Sequence, residues 1–338
     1  MGATRQQGLA SAAAFPWRLD VEAARIEFLQ VDEGFIREAT FLDQRALRDV
    51  RLPSAIVDAS SLPVELSAAG VVRRPLAWLF HIGHCGSTLL SQVLDGLPGV
   101  LGLREPQCLL ALASFWSELD QPLSRVARGA WQQQLETCLT LLGRGFHAEQ
   151  RIVIKPTSHC SSMAERLIGP EDRAVFLRIE LVDYLAALLR DPALRHQAWL
   201  NALPRLADWQ QWTGDAHALR LHGLTSARAI ALSWEVEHRR VQRIQKQCDQ
   251  PVHWLDFAEW LRDPEAQTLR LATWLGLQAS PADVSAVLRG ADLQRYSKDH
   301  SQRFDNTIRR RELDQSIAQH RAEVEDALAW HRDVLLSI

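Results

Sequence analysis

At 338 residues with 47% apolar side chains, the chain is long enough for one large α/β domain or two small ones. Its 38 basic and 41 acidic residues leave a net charge of −3, which gives no general attraction to nucleic acid. No apolar run nears the length of a membrane span. The five cysteines (Cys85, Cys108, Cys138, Cys160, Cys248) lack C-x-x-C spacing, and their odd number fits reduced thiols in a cytoplasmic protein.

Residues 1–72 are the least regular stretch: an alanine cluster at 12–14 with no basic-then-apolar leader before it. They are expected to form an irregular or helical extension packed on a core of residues 73–338. That core opens with Leu76-Ala77-Trp78-Leu79-Phe80, which reads as a buried strand over 76–81. His81-Ile82-Gly83-His84-Cys85-Gly86-Ser87-Thr88 follows, then a stretch with apolar residues at 90, 94 and 97 that suits a helix. Strand, glycine-rich turn with two hydroxyls, and helix together make an anion cradle, because backbone N–H groups and the helix dipole converge there. Gly83 and Gly86 allow positive φ; Ser87 and Thr88 can cap the helix and donate to phosphate oxygens.

Further strands are expected near 100–103, at Arg151–Ile154, at Ala174–Arg178 and at Val252–Leu255. Helices are expected over 181–190, near 227–247, and from Asp263-Pro264 to Gly276, with Asp as N-cap and Pro at the first helical position. Short apolar strands alternating with helices predict an α/β fold with a mostly parallel central sheet between helical layers. Ligands in such sheets bind at the carboxyl ends of the strands, where the cradle, Glu105, Lys155 and Arg178 all fall. Only three of the 38 basic residues are lysines (Lys155, Lys246, Lys298), and where Arg fills nearly every basic position a remaining Lys can be kept for its compact, flexible ammonium.

The cradle is not a Walker A loop: two residues, not four, separate the glycines, and no lysine precedes Ser87. Nor is it a dinucleotide fingerprint, since residue 81 is His. Gly83-His84-Cys85-Gly86-Ser87-Thr88-Leu89-Leu90 resembles instead the 5′-phosphosulfate loop of sulfotransferases that use 3′-phosphoadenosine-5′-phosphosulfate (PAPS), with His84 in place of Lys or Arg and Cys85 in place of Ser. The resemblance extends over roughly residues 75–300. Val175–Ala186 is similar to the family's 3′-phosphate site, with Arg178 matching its Arg and Ala186 standing where it carries Ser. His253–Pro264 with Trp274–Leu277 is similar to a structural block of the family, and Tyr296–Arg303 is a loose counterpart of its basic cofactor loop.

This resemblance implies a sulfotransferase on the P-loop NTPase-like fold, moving a sulfuryl group in line from PAPS to a hydroxyl or amine of a small-molecule or peptide acceptor. It implies donor binding by Gly83, His84, Cys85, Gly86, Ser87, Thr88, Arg178 and Lys298. Glu105 takes the role of base and Lys155 that of the cation at the bridging oxygen, with protonated His84 assisting; no metal is expected. Plainer readings stand beside these. Glu105 can be a strand-end charge paired with Arg104, and Arg178 a partner of Glu180 or Asp183. His81, His84, Cys85, His159 and Cys160 are potential metal ligands, but read better as buried thiols and satisfied histidines. Two other functions remain open: a non-catalytic nucleotide-binding protein, and a kinase-like phosphotransferase. Oligomeric state is not legible.

Overall fold

The computed structural model describes residues 9–214, 219–247, 252–290, 295–296, 299–303 and 306–337. Its centre is a five-stranded, all-parallel sheet made of β4 (Ala77–His81), β5 (Val100–Arg104), β6 (Arg151–Lys155), β7 (Arg173–Arg178) and β8 (Val252–Asp256), in the order β5-β6-β4-β7-β8. All five strands lie within a residue or so of their expected positions. Strands of this kind are apolar on both faces because helices cover both, and β4 and β5 are buried at every position.

Alternation sorts the strand side chains into two cores. Trp78, Phe80, Leu101, Leu103, Ile152, Ile154 and Phe176 face one; Leu79, Val100, Val153, Val175, Leu177 and Leu255 face the other. The first core is closed by helices Gln107–Trp116 and Arg128–Leu142. The second is closed by the helix of the glycine turn, Ser87–Asp95, and by Leu181–Leu189, Phe257–Arg262 and Pro264–Trp274. Asp263 caps the last of these by accepting from Ala266 N–H, and Gly276 follows it at φ 70°. Among the described residues no helix is long and apolar enough to cross a membrane.

The stretch expected to be irregular or helical holds instead an antiparallel sheet: β1 (Ala14–Asp20), β2 (Arg25–Gln30) and β3 (Ser54–Asp58). Its period-two signal is broken by Pro16, where the β1–β2 register shifts; Pro cannot donate to a ladder and is tolerated because β1 is an edge strand. Phe15, Trp17 and Leu19 bury themselves in the first core. Arg144, itself buried, holds this sheet down by donating to the carbonyls of Leu9 and Ala14.

Asp95 fastens three elements together. It ends the helix of the glycine turn, accepts at 2.9 Å from buried Arg104 at the end of β5, and accepts at 2.9 Å from Arg37 of the N-terminal region. It also takes the N–H of Gly102 at 2.7 Å. Arg104 is therefore occupied by Asp95, leaving Glu105 to other partners.

Candidate active site

The ends of β4, β5 and β6, with the start of the helix after β8, surround a cavity of about 870 Å³. That is the upper end of the range of roughly 300–1,000 Å³ usual for small-molecule sites. The glycine turn forms its floor. Gly83, His84 and Gly86 take φ values of 92°, 51° and 82°, so three of four consecutive residues are left-handed. Glycine does this freely; for His84 the conformation is uncommon. The helix starts at Ser87 with Gly86 as N-cap and no side-chain oxygen bound to its first turn. Ser87 and Thr88 thus do not cap it. They are its first two residues, and they line the cavity.

His81 sets the turn's entry. The N–H of Gly83 donates to His81 Nδ1 at 3.0 Å, which places the ring proton on Nε2, 3.0 Å from the carbonyl of Pro156. Both ring nitrogens are engaged, as expected of a satisfied core histidine. Tyr184 donates to the Ile82 carbonyl at 3.3 Å, and burial pushes its hydroxyl up to about 12. Cys85 turns away from the cavity into the second core. Its Sγ lies 3.8 Å from the Leu177 carbonyl, and burial pushes its thiol up.

Glu105, one residue past the end of β5, and Lys155, the last residue of β6, form an ion pair on the cavity wall. Lys155 is only 1% exposed. Glu105 has a φ of 56° and its N–H donates to the Lys155 carbonyl at 2.7 Å, a turn that swings its side chain back over the strand ends. Its second oxygen accepts from Arg45 at 3.2 Å. Arg45 lies 3.7 Å over the Phe41 ring and also pairs with Asp43. Beside Asp43, burial alone would raise its carboxyl, but the Arg45 guanidinium holds it below the usual range.

The structure thus brings Gly83, His84, Gly86, Ser87, Thr88, Glu105 and Lys155 to one cavity. Arg178 lies elsewhere. It ends β7 on a second cavity of only about 20 Å³, over Trp254 at 5.3 Å and 3.9 Å from Asp256, not beside Glu180 or Asp183. Ala186 is wholly buried against Leu313, and its carbonyl accepts from Ser316. Lys298 lies outside the described residues.

Among the cavity residues not assigned from the sequence are Arg45 and Arg309. Arg45 follows a run with no motif. Arg309 stands over the Phe257 ring at 5.3 Å and 3.9 Å from Asp183; the triplet Arg309-Arg310-Arg311 was its only signal. His159, four residues past Lys155, lines the cavity and is pushed below its ordinary value by burial and by Arg205. Among the described residues, no three His, Cys, Asp or Glu side chains gather as a metal site.

With this geometry in view, solved structures to which the chain is similar include several sulfotransferases. One from Mycobacterium avium is 15% identical over 76% of this chain and 79% of its own, at a TM-score of 0.41. A sulfotransferase domain from the curacin biosynthetic pathway is 14% identical over 63% and 77%, also at 0.41. Another, from Mycobacterium tuberculosis, is 11% identical over 75% and 80%, at 0.40. No protein-family model matches the chain, and no curated protein matches it. Such likenesses concern the backbone; the residues carry the chemistry.

Proposed function

We propose that the protein is a PAPS-dependent sulfotransferase acting on a hydroxyl or amine acceptor. The observation that carries this reading is the left-handed turn at Gly83–Gly86, which opens a helix N-terminus onto a cavity whose wall holds a buried lysine paired with a carboxylate. The turn's backbone N–H groups with Ser87 and Thr88 would hold the 5′-phosphosulfate. Lys155 would offset charge on the bridging oxygen as it leaves, and Glu105 would take the acceptor's proton. Arg309, beside the turn over Phe257, supplies a cation on the side where Arg178 and Ala186 provide none. Among the described residues, both carboxylates that line the cavity, Glu105 and Glu312, are paired with cations, which favours charge stabilisation by side chains over a magnesium-dependent phosphotransfer.

A second reading, nucleotide binding without turnover, is favoured by His84, an imidazole on left-handed backbone at the turn position where the resemblance expects a Lys or Arg. Calorimetric titration with 3′-phosphoadenosine-5′-phosphate (PAP), AMP and magnesium-free ATP tests both. The sulfotransferase reading expects PAP to bind in the micromolar range and well ahead of AMP, together with sulfate transfer from labelled PAPS to an acceptor. PAP binding without any transfer leaves the second reading, and no preference for PAP removes both.

A further inference from the structure

One lip of the cavity carries no charge. Leu194, Gln197, Leu200 and Asn201, all on the helix Pro192–Thr213, line the cavity, and the buried Leu188 and Leu313 line it too. Helix residues three and four apart share a face, so the lip continues beyond the cavity lining through Leu203, Pro204 and Ala207. That face is open to solvent: Leu200 and Leu203 are 63% and 61% exposed. A surface helix ordinarily turns charged side chains outward. Here none of the exposed residues from 192 to 213 is Asp, Glu, Lys or Arg. The helix has three such residues, and each is spent on another helix: Arg195 on Glu323, Arg205 on Glu237 and Asp208 on Arg240. The helix Asn306–Gln319, which sends Arg309 and Glu312 to the same cavity, instead carries a run of charges from Arg309 to Asp314.

We propose that the acceptor is an amphiphile whose aliphatic chain leaves the cavity along the exposed face of Pro192–Thr213. The proposal rests on the sulfotransferase reading, which requires an acceptor in this cavity. Continuity chooses the occupant: the apolar face meets the cavity lining at Leu200, so a molecule seated in the cavity reaches it without a break. Gln197 and Asn201 on the same lip are neutral and ask for no counter-ion from a passing chain. From Leu194 to Ala207 the track runs about 20 Å at 1.5 Å per residue, a span that suits a chain better than a compact ring. Two leucines fall well short of the roughly 800 Å² per partner that a stable dimer buries. An aliphatic chain gains from each methylene it lays down, with no such threshold. Leu200 and Leu203 are thus specificity-determining residues: they reward chain length and leave the reacting end to the cavity.

The test is a titration of PAP-saturated protein with 1-alkanols of four to twelve carbons, each kept below its aggregation concentration. Affinity is expected to rise about twofold per methylene, short of the roughly fourfold of full burial because the track is open to water on one side. KM for transfer from labelled PAPS should fall in step. The double variant Leu200→Gln with Leu203→Gln should flatten the rise for the longer alcohols with thermal unfolding unchanged, since both side chains are exposed. Leu203→Met should keep the rise. An affinity indifferent to chain length would overturn the proposal, as would a rise that survives in the double variant. A dimer that the double variant dissociates would overturn it in favour of a second copy, and uptake of the alcohols only from phosphatidylcholine vesicles in favour of a membrane. Failure of PAP itself to bind is a different result: it removes the sulfotransferase reading, and the proposal with it.

Discussion

Phe257 occupies the space that any side chain on Gly86 would need. A Cβ built on Gly86 falls 2.1 Å from Phe257 Cζ, and Gly86 holds a φ of 82°. Both steric and backbone terms therefore demand glycine, at the point where the helix N-terminus opens. Gly86→Ala is expected to destabilise the fold by about 1–3 kcal/mol from the left-handed backbone alone and to weaken PAP binding by at least about tenfold. The double variant with Phe257→Ala should cost less than the sum of the two single variants, since it removes the clash but not the strain. Denaturant unfolding and calorimetry read the two effects; unchanged PAP affinity in Gly86→Ala would sink the cradle's role.

Lys155 is nearly inaccessible and Glu105 is 15% exposed, so their pair, though on the cavity wall, is shielded from bulk water. Removing one member of such a pair strands the other. Lys155→Met is expected to cost about 3–5 kcal/mol, and the double variant Lys155→Met with Glu105→Gln clearly less than the sum of the singles. Urea denaturation of the four proteins measures the coupling. Strict additivity would mean the two charges do not hold each other.

Three histidines make stability depend on pH near neutrality. His159, His238 and His253 are each pushed below the ordinary value, in every case by burial first; nearby arginines add to it. His238 is stacked on Trp234 at 5.1 Å, which leaves its ring little water. In the folded chain these rings stay neutral where the unfolded chain, with a pKa of about 6.5, takes up protons. The unfolded state then binds more protons, so stability is full above that value and falls as pH drops below it. The melting temperature should decline between about pH 7.5 and 5.5, and His238→Phe should flatten the decline. A flat or rising profile would contradict the assignment.

Glu237 holds two buried arginines. Arg205 reaches it at 2.9 Å and Arg240 at 3.3 Å, and Arg240 continues to Asp208 at 2.7 Å. Burial alone would raise the Glu237 carboxyl, but the two guanidinium groups reverse that and hold it below the usual range. Its contribution is present above the unfolded carboxylate value of about 4.3 and is lost as pH falls through the lower folded value. Glu237→Gln is expected to cost about 3 kcal/mol at neutral pH and much less in acid. Thermal denaturation at both pH values separates this from a simple loss of packing.

The central sheet was readable because each parallel strand is a short apolar run ended by a chemically distinct residue. The cradle was readable because two glycines and two hydroxyls at fixed spacing have few other uses. What escaped were features made by contact between distant parts of the chain. Pro16 hid β1 by breaking its alternation. Arg45 meets Glu105 because Leu42 is hydrogen-bonded through its backbone to Arg104 and Gln107, a pairing of distant segments. Arg178 ends its strand as expected, yet its side chain lies over Trp254 rather than in the cavity. Strand position placed it at the right edge but did not say which way it would point.

Asp95 touches no ligand-facing atom of the wall, yet it works as a strut. One of its oxygens is tied to the strand end that precedes Glu105, and the other reaches the N-terminal region that carries Arg45. Its own helix begins at Ser87. The spacing between the group that would hold a donor and the group that would deprotonate an acceptor is thus calibrated by a residue outside the chemistry. Wear at that strut would register as a mismatch between two substrates, each still individually welcome.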